Sequence, residues 1–274
     1  MCNTNESSAA SFATEALAPS LSVRSASIMD LDAMLDIGLS AMPMDPQWNW
    51  RFPYRLQFPE DTRYFTRQKY REFLEDKTGR WQVVVAEIKP ENKAAPVTVA
   101  MAIWDVGILN RRVSHRRRKS RAGTRTMCSA VPNRRDGELK RMQAWTSITA
   151  KSKAEVFDRE FGDCQLHLQI LATHPKYQRR GAGRLLCEWG LRLAEIASVP
   201  ITVFASPMGS SLYQKSGFVS VSNVRIKAME DDHDGVVLAA MTFIPKSFAN
   251  AMKSRQIVWD QSSTSDEEAD CTWR

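Results

Sequence analysis

The feature that most constrains this chain is the glycine-bearing run Gln178–Gly183, which reads Gln-Arg-Arg-Gly-Ala-Gly. An apolar segment from Leu166 to Ala172 precedes the run, and a helical pattern from Arg184 to about Ala197 follows it. A strand therefore leads into a turn that opens a helix. The first N–H groups of a helix have no intrahelical partner, and the helix dipole adds partial positive charge there. Because glycines let a phosphate approach such a backbone closely, the run predicts a pyrophosphate site.

Two other nucleotide-binding motifs fail at specific positions. A Walker-type loop requires Lys followed by Ser or Thr after its last glycine, whereas Arg184 and Leu185 stand there. A dinucleotide fingerprint requires a third small residue where this chain has Leu186. It also requires an acid about twenty residues further on, and residues 201–205 contain none. What remains is the pattern Gln-x-x-Gly-x-Gly after a strand.

This pattern resembles the acetyl-CoA loop, Gln/Arg-x-x-Gly-x-Gly/Ala, of the GNAT superfamily of N-acetyltransferases. A second element extends the resemblance, because Tyr213 and then Gly217-Phe218 follow at the family's distance for a Tyr-bearing short helix and a Gly-Phe turn. Ser206 suits the cap of that helix and Pro207 its first position. The resemblance is strong across residues 160–222.

The resemblance implies the GNAT fold, an α/β (α+β) architecture with a central mixed, mostly antiparallel, twisted sheet of about six to seven strands and helices on both faces. Sequence patterns agree with this order, and they predict strands at 21–26, 81–88, 97–104 and 236–243 and helices at 29–41, 60–76 and 141–161. We expect one acetyltransferase domain over residues 21–246, between a disordered segment at 1–20 and a polar tail at 247–274.

The composition indicates a globular protein, because 43% of the residues are hydrophobic. No apolar run approaches the ~20 residues of a membrane span. Residues 1–20 lack the basic start and apolar centre of a secretory signal. The five cysteines are widely spaced and form neither a metal-ligand pattern nor an even disulfide set. We therefore expect an intracellular, cytoplasmic protein without a metal site.

A basic insertion at residues 107–140 interrupts the order of elements. Between positions 111 and 125 it carries eight positive side chains and no acid, whereas the formal net charge of the whole chain is +7. Such composition favours a solvated, disordered loop. A nuclear-import signal within 111–121 and a partner-binding patch are the alternatives. No aromatic residue is interleaved among the arginines, which disfavours nucleic-acid binding.

The family resemblance also implies a donor site for acetyl-CoA, with neither a metal nor a covalent enzyme intermediate. Backbone groups of Leu171, Ala172 and Thr173 would hold the pantetheine arm and the acetyl carbonyl. The pyrophosphate would lie on the loop residues Gln178, Arg179, Arg180, Gly181, Ala182 and Gly183.

Two residues are candidates for proton transfer. Family members place a Tyr near the CoA sulfur, so the resemblance implies Tyr213 as general acid, with packing under the Gly-Phe turn as the alternative. His167 stands four positions before Leu171, so in a regular strand both share one face. The stretch is similar to arylalkylamine N-acetyltransferases, which carry a His-x-His pair here, although Gln169 replaces the second histidine. Imidazole titrates near neutrality, so His167 is the candidate base, with a structural role as the alternative.

Aromatic side chains cluster between the first two predicted helices, at Trp48, Trp50 and Phe52, in a proline-punctuated segment that we interpret as a loop. GNAT enzymes usually build the acceptor site in this region. The cluster therefore predicts an apolar wall for the acceptor, and capping of the core is an equal alternative.

These features together predict an acetyl-CoA-dependent N-acetyltransferase that acts on the amine of a small molecule or peptide by direct attack. Two alternatives remain at this level. The chain could be a non-catalytic regulatory protein that binds acetyl-CoA, or a nuclear protein-lysine acetyltransferase that uses the basic insertion to bind a partner. No motif predicts the identity of the acceptor or the oligomeric state.

Overall fold

The computed structural model describes residues 20–89, 95–114, 134–229 and 235–252. These residues form one sheet of seven strands in the order β1-β2-β3-β4-β5-β7-β6. All neighbouring strands are antiparallel except β4 and β5. The strands are β1 Ser20–Ser25, β2 Trp81–Lys89, β3 Val97–Asp105, β4 Leu166–Thr173, β5 Ile201–Ala205, β6 Val219–Ile226 and β7 Val236–Phe243. The predicted fold class, a mixed and mostly antiparallel sheet, is confirmed.

Helices cover both faces of this sheet. They are α1 Leu31–Ala41, α2 Pro46–Arg51, α3 Pro59–Leu74, α4 Gly107–Ser114, α5 Leu139–Ser152, α6 Arg159–Phe161, α7 Ala182–Ala197 and α8 Pro207–Lys215. A π-helical segment, Lys153–Asp158, joins α5 to α6. In the described part of the chain, no helix combines the length and apolar character needed to cross a membrane.

The side chains of β2 alternate between two hydrophobic cores, one on each face of the sheet. Val83 and Val85 pack with α1 and α3 on one face, whereas Val84 and Ala86 pack with α7 on the other. Because successive side chains of a strand point to opposite faces, a strand in the middle of the sheet must be apolar throughout. A third cluster, which includes Trp50 and Phe157, covers β6 and β7.

Helix α7 lies unusually close to the sheet, and a glycine permits this approach. A Cβ atom on Gly190 would fall within 3.0 Å of three ring atoms of Trp104, whose side chain is fully buried. The connection β4-α7-β5 is the crossover that parallel neighbouring strands require. The close contact therefore fixes the crossover helix, and with it the start of α7, against β3.

The segment that we interpreted as an aromatic loop is a short helix, α2. The side chain of Asp45 accepts a hydrogen bond from the backbone N–H of Gln47, and Pro46 occupies the first turn. Asp followed by Pro is a recognised start of a helix, so the signal was present in the sequence. Trp48 therefore lies on a helix, and Phe52 lies at its C-terminal cap.

The predicted domain limits fall partly outside the described residues. Within the predicted basic insertion, Gly107–Ser114 is helical and residues 134–140 are described, whereas 115–133 lie outside. Most of the predicted segment 1–20 and residues 253–274 of the predicted tail also lie outside. The disorder of these segments and the import signal therefore remain predictions.

Candidate functional site

The site forms where β4 and β5 separate. The two strands pair only from Leu166 to Leu168, opposite Ile201 to Val203, and β4 then continues to Thr173 without β5 beside it. We call this gap between the later half of β4 and β5 the slot. The N–H of His174 donates to Val99 on β3, so by antiparallel alternation the backbone groups of Leu171 and Thr173 face the slot. Unpaired backbone groups of an open strand edge are ready to bind an extended ligand.

The start of α7 lies at the end of the slot. Gly181 adopts a left-handed conformation, with φ of 92°, and provides no side-chain cap. The N–H of Leu185 donates to the carbonyl of Gly181, which closes the first turn of the helix. The earlier N–H groups of the helix therefore remain to bind an anion. The side chain of Gln178 fixes the loop to β4, because its Nε2 donates to the carbonyl of Thr173 at 3.1 Å.

Tyr213 projects from α8 towards the same region. Ser206 caps this helix through a bond from the N–H of Gly209, as expected, and Pro207 occupies its first turn. The ring of Tyr213 packs beside Phe218, with 5.6 Å between the ring centroids. Burial raises the pKa of the Tyr213 hydroxyl above its ordinary value, so the hydroxyl stays protonated across the neutral range.

One cavity of about 880 Å³ connects these features to the aromatic residues of α2. Its glycine end comprises Thr173, Gln178 and the start of α7, and its aromatic end comprises Trp48, Phe52, Phe65 and Trp145. The structure thus brings most of the predicted site residues together in one wall. These are Trp48, Phe52, Leu171, Ala172, Thr173, Gln178, Arg179, Gly181, Ala182, Gly183 and Tyr213.

Three predicted site residues do not line this cavity, and two of them, Arg180 and Trp50, lie close to it. The guanidinium of Arg180 lies 5.6 Å from the ring centre of Tyr177, on the exposed side of the loop. Trp50 points into the core cluster that covers β6 and β7, and Arg141 lies over its ring at 5.6 Å. The two residues flank the site, and Trp50 takes the core role that we had kept as the alternative.

His167 also lies outside the cavity wall, and the expectation that it shares a face with Leu171 is wrong. The register of β3 against β4 skips Gln169, because Ile103 pairs with Ile170 and Trp104 with Leu168. This β-bulge inserts one residue and reverses the alternation of side chains. His167 consequently falls on the face opposite Leu171, where its ring packs against Phe157 and Phe204.

The surroundings of His167 explain why it is not poised as a base. The Thr202 hydroxyl donates to Oε1 of Gln165 at 2.7 Å, so Nδ1–H of His167 donates to the Thr202 oxygen at 2.9 Å. Burial, with a smaller effect of the Lys153 charge, lowers the pKa of His167 to about 3. We therefore assign His167 the structural role.

Sequence reasoning missed three polar residues of the aromatic end, Asp45, Arg51 and Arg134. Among the described residues that line the cavity, Asp45 is the sole acid. Arg134 forms a two-bond ion pair with the buried Asp136, at 2.6 and 3.0 Å. Arg51 stacks on aromatic rings, and burial lowers its pKa to about 10. None of them belongs to a motif, and the Asp-Pro helix start was the signal for Asp45.

The charges of the wall are predominantly positive. At the glycine end Arg179, Arg184 and Lys215 line the cavity, which suits a ligand with several phosphates. No group of three or more His, Cys, Asp or Glu side chains able to hold a metal ion occurs among the described residues. The wall thus offers cations and backbone N–H groups at one end, and a single carboxylate with aromatic rings at the other.

Comparisons with known proteins find acetyltransferases similar to this chain. The family model "Acetyltransferase (GNAT) domain" matches residues 146–241. An acetyltransferase of Stachybotrys chartarum is 24% identical over 216 residues, which cover 76% of this chain and 84% of that protein.

Two solved structures are similar to this chain at low sequence identity. One is titled histone acetyltransferase HPA2 and related acetyltransferase, from Corynebacterium glutamicum, with 17% identity over 82% of this chain and 97% of that chain, and a TM-score of 0.48. The other is a mosquito arylalkylamine N-acetyltransferase like 5b, with 18% identity over 82% of this chain and 100% of that chain, and a TM-score of 0.48.

Proposed function

Because this chain carries a GNAT acetyltransferase domain, as its two motifs predicted, we propose that it transfers an acetyl group from acetyl-CoA to the amine of a small molecule or peptide. The observation that carries this proposal is the continuous cavity. It joins an anion site at the start of α7 to an aromatic end with one carboxylate, and Tyr213 also lines it.

Acetyl-CoA fits the glycine end and the slot. Its pyrophosphate would lie on the N–H groups that follow Gly181, where Arg179 and Arg184 add positive charge. Its pantetheine arm would follow the open edge of β4, where the backbone groups of Leu171 and the N–H of Thr173 face the slot. A Cβ atom on Gly183 would lie 3.3 to 3.6 Å from Leu212, Leu171 and Thr173, so a larger side chain there would narrow the space for the ligand.

The transfer itself is a direct attack. The amine nitrogen forms a bond to the thioester carbonyl carbon, the C–S bond breaks, and the thiolate takes a proton from the Tyr213 hydroxyl. The proton that the attacking nitrogen loses on becoming an amide then restores the Tyr213 phenol through water. Asp45 attracts the acceptor as an ammonium ion and accepts its proton through water. Tyr213 and Asp45 interact electrostatically, since the carboxylate contributes to the raised pKa of Tyr213. Asp45 thus acts as the base for the amine, and Tyr213 acts as the acid for the leaving thiolate.

Thiol release from acetyl-CoA with a panel of primary amines tests this function, alongside calorimetric titration of acetyl-CoA. We expect binding of acetyl-CoA and amine-dependent thiol release. Binding without turnover on any amine or peptide would reject catalysis and favour a regulatory protein. A failure to bind acetyl-CoA at all would reject the donor site itself.

A further inference from the structure

We propose that Arg51 binds a carboxylate carried by the acceptor, so that the acceptor is an amine with a second, anionic group. This inference rests on the proposed function, because it concerns the acceptor end of the same cavity. It names a substrate class, the amino carboxylates, that no motif of the sequence indicates.

The packing of Arg51 leaves the edge of its guanidinium for a ligand. Its central carbon lies 4.1 Å from the ring centre of Trp145, 5.2 Å from that of Phe52 and 5.6 Å from that of Trp48. Its Nε donates to the carbonyl of Gln47 at 3.2 Å, and within the described residues its two terminal nitrogens form no hydrogen bond. When aromatic rings pack on the faces of a guanidinium, the N–H groups along its edge stay available. These N–H groups can donate two parallel hydrogen bonds to one carboxylate.

Arg51 also differs from the other cations at the aromatic end in its ion pairing. Arg134 is paired with Asp136 and Lys69 with Glu72, at 2.6 and 3.1 Å. No ion pair of Arg51 occurs within the described residues. With a pKa of about 10 the side chain stays charged at neutral pH. A partly buried cation that lacks a direct ion-pair partner costs free energy, which an anionic ligand would offset.

A carboxylate fits better than a phosphate at this position. A phosphate monoester carries roughly −1.5 to −2 charges at neutral pH, whereas a carboxylate carries one. Arg51 supplies one positive charge that forms no ion pair within the described residues, although Asp45 attracts it electrostatically, and the surrounding wall of Trp48, Phe52 and Trp145 is apolar. A monoanion on an apolar body therefore matches both the charge and the wall.

Helix α2 sets the distance between the two charged ends of such an acceptor. Asp45 caps its start and Arg51 is its last residue, so their Cα atoms lie about 9 Å apart along the axis. The Arg51 side chain reaches back toward Gln47, which shortens the separation of the charged groups. The helix can thus hold the ammonium at Asp45 and the carboxylate at Arg51.

Matched acceptors test this inference through turnover. Thiol release is measured with phenylalanine and with phenylalaninamide, which differ in the carboxylate. The quantity compared is the kcat/KM ratio of the two acceptors in wild type and variant, so the difference in amine pKa cancels. We expect Arg51→Gln to lower this ratio by about 10- to 100-fold, the range for hydrogen bonds to a charged group. Arg51→Lys should fall between, because it keeps the charge without the fork.

Arg63→Gln is the matched control, because it removes an exposed positive charge from α3 outside the cavity wall. It should leave the ratio unchanged. Acetyl-CoA binding by each variant verifies that the fold is intact. An equal ratio in wild type and Arg51→Gln would overturn the inference.

A second measurement separates this inference from the proposed function. Phenylpropionate and phenylpropionamide lack an amine and cannot be acetylated on nitrogen, so their binding is independent of turnover. Tryptophan fluorescence reports that binding, since Trp145 contacts Arg51. We expect the carboxylate to bind about tenfold more tightly than the amide in wild type, and equally in Arg51→Gln. If the carboxylate binds more tightly but no amine is turned over, the carboxylate site is retained and acetyl transfer is rejected. If amines are turned over but the carboxylate and the amide bind equally, acetyl transfer is retained and the carboxylate site is rejected.

Discussion

The proposed role of Tyr213 as general acid can be tested by removing its hydroxyl oxygen. Tyr213→Phe keeps the packing against Phe218 but removes the proton that the leaving thiolate takes. We expect kcat to fall about 100-fold or more, the usual range for a general acid, while acetyl-CoA affinity is retained. Steady-state thiol release and calorimetry measure both quantities. Tyr64→Phe, at a 56% exposed position, serves as the control and should match wild type. Full activity of Tyr213→Phe would leave the residue with only a packing role.

The buried His167 predicts a pH dependence of stability rather than of rate. Its folded-state pKa of about 3 lies below the ordinary 6.5, so the unfolded chain binds a proton more readily than the folded one. Stability is therefore complete above the unfolded pKa and decreases as the pH falls through 6.5 towards 3.

Urea unfolding at several pH values measures this effect. As the pH falls from about 7.5 to about 5.5, the free energy of unfolding should decrease with a steepening slope that approaches about 1.4 kcal/mol per pH unit. His167→Gln should be less stable at neutral pH but should show a flatter dependence. An identical slope in the variant would exclude His167 as the titrating group.

The polar residues of the aromatic end illustrate what a single sequence cannot supply. Asp45, Arg51 and Arg134 are distant in sequence from the loop and from Tyr213, and only the tertiary packing, which includes that of α2 against α5 and β7, brings them to one wall. Gln178–Gly183 could be predicted because its spacing is itself the binding geometry. A guanidinium in an aromatic stack has no comparable signature.

The start of α7 permits a prediction at the level of the element. Gly181 and Gly162 both have positive φ, at 92° and 55°, so an alanine is strained at either position. Each Gly→Ala change should cost about 1 to 2 kcal/mol of stability, measured by urea unfolding. Only Gly181 lines the cavity, so only Gly181→Ala should also weaken acetyl-CoA binding. Equal acetyl-CoA affinity in both variants would show that the pyrophosphate does not bind at the start of α7.

Most elements were predictable because their patterns are local. The strands β2 and β3 and the helices α1 and α3 lie within a few residues of the predicted limits, since periodicity and helix caps specify them. The bulge in β4 was not predictable, because one additional residue leaves no mark on a short apolar strand. That single residue moved His167 to the other face. Errors of this kind change the role of a side chain without changing the secondary structure.

For the whole molecule, acetyl-CoA should act as a connection between two parts of the sheet. Strands β1 to β4 and strands β5 to β7 meet through only three residue pairs of β4 and β5, and the ligand would fill the slot beside them. At a concentration about 100 times the dissociation constant, binding should stabilise the fold by about 2.7 kcal/mol. A thermal scan should then show a rise of about 5 to 10 °C in Tm. Adenosine, which lacks the pantetheine arm, is the control and should give a much smaller shift.

The open edge of β4 has a further consequence for the exchange of amide hydrogens with solvent. The amides of Leu171 and Thr173 face the slot, whereas those of Ile170 and Ala172 alternate towards β3. In the free protein the first pair should take up deuterium quickly and the second pair slowly. Acetyl-CoA should slow the first pair and leave the second almost unchanged. Residue-resolved hydrogen exchange, measured by NMR, should therefore show that acetyl-CoA protects every second amide along this part of β4. The protected amides would be those that contact the pantetheine arm.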